Sequence, residues 1–80
     1  MAAVGQVWKE RRWRRHILII ELRDITQTRE LREFGKNHPG RYAKVQTCTE
    51  DGTRIRSAPY GYIRLERDGS LGRFAFVASV

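Results

Sequence analysis

The residues with the most chemistry stand together, in Lys9-Glu10-Arg11-Arg12-Trp13-Arg14-Arg15-His16: five fixed cations and one tryptophan against a single acid. The planar donor fork of arginine matches phosphate oxygens and is weakly hydrated, which suits it to a nucleic-acid backbone. A tryptophan among arginines has two uses. Its ring can stack on an unpaired base, or it can fold over the protein and leave the arginines solvated around it. Lys9, Arg11, Arg12, Arg14 and Arg15 are therefore the candidate phosphate contacts, with Trp13 the candidate stacking group. A second basic cluster lies in Thr53-Arg54-Ile55-Arg56. On a strand, Arg54 and Arg56 project from one face and Ile55 points inward. Arg64 alternates likewise between Ile63 and Leu65, with Tyr60 and Tyr62 close by. If that strand lies beside the first cluster, the two form one basic stripe. Otherwise they are a solvated outer face with Glu50 and Glu66 as partners, and such exposed pairs contribute little to stability.

Other chemistries lack their residues. Asp51 and Asp68 each precede a glycine, where the carboxylate shapes a turn. His16 and His38 have no serine, cysteine or carboxylate to orient them, so no enzyme is expected. Cys48, His16 and His38 lack metal-ligand spacing and a fourth donor. No phosphate loop or nucleotide fingerprint is present, so no cofactor is expected. The single cysteine allows no disulfide within the chain and suits a reducing, cytoplasmic setting. The apolar run Ile17 to Ile20 is far below the roughly 18 residues of a membrane span. Met1–Trp8 has no charged start followed by an apolar run, so no secretory leader is expected and no membrane partner either.

The chain has 80 residues and a net charge of +7, with 40% hydrophobic and 31% charged residues. That describes one folded domain, 1–80, with a small core. So strong a positive balance favours a polyanionic partner. Nucleic acid, DNA or RNA, is the expected one; the alternative is an acidic protein surface, of a host or regulatory protein for instance. In that alternative Leu31 and Phe34 supply a second contact surface.

Most of the chain reads as strands. Gly5–Glu10 opens, and Arg14–Asp24 follows as a long central strand rich in β-branched residues. Period two puts Leu18, Ile20 and Leu22 on a fully apolar face, the expected core, while Ile17 and Ile19 lie opposite and also need cover. Pairing of Ile17 and Ile19 across chains would supply that cover through a homo-oligomer. Asp24–Gly35 reads as a short helix, capped by Asp24 with Gln27 as reciprocal partner and closed by Gly35. Asp51-Gly52 marks a two-residue hairpin turn within Arg41–Ala58, and Asp68-Gly69 marks a second turn. Tyr60 to Glu66 fits a strand or a single helical turn equally well. Gly72–Ser79 has the aromatic spacing of an RNA-recognition strand, but its glycine and arginine are reversed and no helix and strand follow. Phe74 and Phe76 are therefore expected in the core, as is Trp8. Five or six short antiparallel strands with one inserted helix predict a small SH3-like barrel, the alternative being an OB-like barrel, since closure hides edge strands.

The stretches Gly5–Trp8 and Thr53–Arg56, with Tyr42–Thr49 and Gly72–Val77, carry a resemblance. They resemble small uncharacterised actinobacterial and bacteriophage domains that open on a Gly-Gln-Val-aromatic strand and carry a Thr-Arg-Ile-Arg strand before the last one. The resemblance implies the barrel and a phage or bacterial origin, and makes Ile25–Gly40 an insertion. It implies no activity.

Overall fold

The computed structural model describes the whole chain, Met1 to Val80. Five antiparallel strands and one short helix follow in order: β1 Gln6–Glu10, β2 His16–Ile25, α1 Thr28–Glu33, β3 Gly40–Cys48, β4 Tyr60–Arg64 and β5 Phe74–Ser79. The sheet order is β4-β3-β2-β1-β5. No ladder joins β4 to β5, so the sheet is open, where the sequence had predicted a closed barrel.

The core face of β2 is the reverse of the expected one. Ile17 and Ile19 are each 1% exposed, within a cluster that includes Trp8, Ala43, Val45, Leu71 and Phe74. Their burial removes them as an oligomer surface. Leu18 and Ile20 are only half-buried. A bulge explains how Leu22 still packs on the same core. Ile19 pairs with Val45 and Glu21 with Lys44, leaving Ile20 without a partner. One extra residue reverses the alternation, so Ile17, Ile19 and Leu22 share a face. The side chain of Trp8 lies in this core, and its indole N–H donates to Gln6 Oε1 at 3.0 Å.

The helix is shorter than Asp24–Gly35. Asp24 belongs to β2, paired with Arg41, and does not cap. Gln27 occupies the cap position without a side-chain bond. Gly35 does close the helix: its φ is +65°, its N–H donates to Arg32 O at 3.1 Å, and Lys36 N–H donates to Leu31 O at 2.7 Å. That pair of bonds is the Schellman closure, and its positive φ favours glycine. The helix covers the opposite sheet face, where Leu31 joins Ile25 and Tyr42, with Phe34 and Tyr62 alongside. Leu31 is thus turned inward and does not form a docking surface.

Both Asp-Gly turns have one construction. Thr49 N–H donates to Thr53 O and Gly52 N–H to Thr49 O; Glu66 and Ser70, with Gly69, repeat the pattern. Each is a three-residue loop whose glycine has positive φ, +91° at Gly52 and +82° at Gly69, rather than the two-residue turn expected at Asp51-Gly52. The return strand after Gly52 is cut to one bridge, Cys48 with Arg54. Phe74 is buried as expected, but Phe76 is 52% exposed. Its ring meets Trp8 edge-on at 5.7 Å, and it stays open because β5 is an edge strand with no neighbour beyond it.

Candidate functional site

The basic run forms the loop that joins β1 to β2. Glu10 N–H donates to Arg15 O at 2.8 Å and Arg14 N–H to Glu10 O at 2.9 Å, closing the loop on itself. Arg14 turns the chain with φ +56°, the one non-glycine residue with positive φ. Arg11 N–H donates to Arg73 O at 3.2 Å, which ties the loop to the entry of β5.

One acid organises the root of the loop. The side chain of Glu10 is 6% exposed; Oε1 lies 3.6 Å from Arg15 Nε and Oε2 3.5 Å from Arg73 Nε. A buried carboxylate needs such cations, since an unpaired charge at that depth is strongly unfavourable. Arg15 therefore splits its role: it neutralises Glu10 and lies 6.0 Å from the Phe74 ring centroid. Arg73 was missed by sequence reasoning. It stands far along the chain, and only the β1–β5 ladder, which pairs Glu10 with Phe74, brings it there.

Beyond this root the charges are free. Lys9, Arg11, Arg12 and Arg14 have no acid within ion-pair distance; the four ion pairs of the protein involve Arg15, Arg23 and Arg73 only. Trp13 is 71% exposed and is not folded over the end of the sheet. The Arg12 guanidinium sits 5.3 Å from its ring centroid, close enough for a cation–π contact that fixes the two together.

The second cluster is only half joined to the first. Lys9 pairs with His16, His16 with Cys48, and Cys48 bridges to Arg54. These residues form a row across one end of the sheet, about 14 Å from first to last at the usual strand spacing. Arg54 is half-buried and held: Nε donates to Gln46 Oε1 at 2.9 Å and Nη2 to the Tyr60 hydroxyl at 3.1 Å. Arg56 is exposed and lies in a turn rather than a strand, so it does not share a strand face with Arg54. Ile55, expected to point inward, is 40% exposed for the same reason. Gln46 holds the segment instead, its amide donating to the carbonyls of Arg56 at 3.4 Å and Ala58 at 2.8 Å.

Two hollows flank the Arg15 root. One, of about 360 Å³, opens between the unpaired edges of β4 and β5 and includes Arg64, Glu66 and Arg73. The other, of about 350 Å³, runs beside β4 and has no acid in its lining. Elsewhere, burial first and the nearby Asp51 charge second push the Cys48 thiol up. Asp51 is held below the usual carboxylate range by hydrogen bonds from Thr49 and Thr53, and Asp68 likewise by Ser70. No three His, Cys, Asp or Glu side chains converge as a metal-binding group, and no helix is long and apolar enough to cross a membrane. Comparison of the chain with known protein families, with curated proteins and with solved structures finds no match.

Proposed function

We propose that this chain is a small basic nucleic-acid-binding protein that acts by binding and not by catalysis. The β1–β2 loop is its primary contact: Arg11, Arg12 and Arg14 on phosphates, Lys9 and Arg15 beside them, and Trp13 stacking on a base. Arg54 extends the surface along the end of the sheet, and Arg56 reaches the periphery. The observation that carries this reading is the pairing pattern of the loop. Glu10 occupies Arg15 and leaves Arg11, Arg12 and Arg14 without an acid, next to a tryptophan that is 71% exposed. A solvated surface whose cations are individually neutralised would not have this arrangement. Phosphate contacts of this kind read little sequence, so affinity and not base preference is the expected strength. The strand order, with β5 beside β1, supports reading the sheet as an opened SH3-like barrel whose loops present the binding groups.

A salt titration of binding to duplex and single-stranded probes tests the function. Each phosphate neutralised on duplex DNA contributes a slope of about −0.9 in log affinity against log salt. A steep negative slope is expected. A flat response, or no binding at low salt, refutes the reading.

A further inference from the structure

β5 is the one strand of the sheet without a charged residue; every other strand carries at least one, Lys9 in β1 and Arg64 in β4 among them. It reads Phe-Ala-Phe-Val-Ala-Ser and lies at the edge, its inner side paired with β1 and no strand beyond its outer side. Unpaired N–H and C=O groups on an edge are a template for another strand, and folded proteins blunt such edges with charge or proline. The opposite edge has both devices: β4 ends on Arg64 and follows Pro59, which has no N–H. β5 has only its bulge, where Val77 lacks a partner on β1.

The edge is also apolar. Phe76 and Val77, the two central residues of β5, are 52% and 41% exposed. Val80 N–H donates to Gly5 O at 2.9 Å, which sets exposed Val4 and Val80 beside the end of the strand. Charge selects what can cover this edge. The chain carries +7, so two copies repel wherever their cations face one another, and along β5 they do not. An acidic partner is attracted to the free arginines of the β1–β2 loop and has no charge to meet along β5. Antiparallel pairing of two β5 strands also keeps the loops apart. Glu10 pairs with Phe74, so the loop lies at the start of β5, and the start of one β5 meets the end of the other. A six-residue strand separates the two loops by about 20 Å at the usual rise, about twice the screening length in 0.1 M salt. Arg73, which immediately precedes β5, already faces Glu10 at 3.5 Å.

We propose that β5 pairs antiparallel with β5 of a second copy of this chain, forming a symmetric dimer in which the two five-stranded sheets become one. Phe76 and Val77 of both copies then meet around the two-fold axis, where aromatic and β-branched cross-strand neighbours stabilise a sheet. The contact uses the same surface on both copies, so it consumes both β5 edges and leaves only the blunted β4 edges outside; growth stops at the dimer. The pairing does not rest on what the arginine loop binds.

Sedimentation equilibrium of nuclease-treated protein tests it, over a concentration series reaching about 1 mM. Wild type should pass reversibly from monomer to dimer and no further. Val77→Lys places on the edge the charge that other proteins use to blunt theirs, and the two-fold axis brings the two new cations together. It should weaken the dimer at least about tenfold. Ile55→Lys adds the same charge at an exposed residue outside the sheet and should leave dimerisation unchanged. A thermal melt checks the folds; should Val77→Lys not fold, Ser79→Lys, at an exposed position of β5, carries the same expectation. A monomer at every concentration overturns the dimer and leaves the loop reading standing. Equal dimerisation of wild type and the folded β5 variant, an equal loss with Ile55→Lys, or assembly beyond the dimer each overturns it as well.

Discussion

Replacing Arg11, Arg12 and Arg14 together by glutamine separates free charge from held charge. These three have no acid partner, whereas Arg15 is engaged by Glu10. Each phosphate contact on a single strand contributes about 0.7 to the salt slope, so the triple variant should lose about 2.1 of slope. Across the fourfold change from about 50 mM to about 200 mM salt, wild type should then weaken about 20-fold more than the variant. On duplex the corresponding figures are about 2.7 and about 40-fold. The three side chains are exposed and make no side-chain hydrogen bond, so the melting temperature should hardly move. Arg15→Gln is the contrast: it leaves Glu10 with Arg73 as its one remaining cation, so it should lower the melting temperature more than the triple variant does. The assay is a titration series by anisotropy at several salt concentrations, with melts in parallel. A triple variant that keeps the wild-type slope would show that the loop does not contact phosphate, and the functional reasoning would fail with it.

Two further outcomes follow from the packing and the turns. Ile19→Ala should cost about 2–5 kcal/mol and Ile20→Ala distinctly less, measured by urea unfolding, because Ile19 is 1% exposed while Ile20 sits half-buried at the bulge. Equal costs would mean the core face is assigned wrongly. The folded Asp51 carboxyl is held below its ordinary value by hydrogen bonds from Thr49 and Thr53. Its contribution is therefore present above the ordinary aspartate value and fades as pH falls through the folded one. Wild type should exceed Asp51→Asn in urea midpoint near neutral pH, with the gap closing in strong acid. A gap independent of pH would refute the charge-assisted turn.

Several elements were readable from local pattern, and their failures have particular causes. Alternation and β-branching located β2, and strict period two chose Leu18/Ile20/Leu22 as the core side because Glu21 and Arg23 fall with Ile17 and Ile19 on the other. The bulge at Ile20 then reversed the alternation, which no local signal announces. The Asp-Gly pairs marked both turns because the positive φ there favours glycine, yet the loop length depended on threonine and serine partners. Asp24 has the type and spacing of a helix cap, but its ladder partner Arg41 extends β2 past it. The arginine loop was legible as charge, and Trp13 as its aromatic. Arg73 and the two hollows beside Arg15 were not, since they arise from contacts between residues distant in the chain.

Composition by itself determined a small, basic, strand-rich chain with one dense cationic loop, because charge, β-propensity and glycine turns are properties of residues and their neighbours. Tertiary structure decided which cations are free and which are spent, which face of β2 is buried, and where a hollow remains. Those depend on strand order, and strand order places Arg73 against Glu10 through pairings between residues distant in the chain.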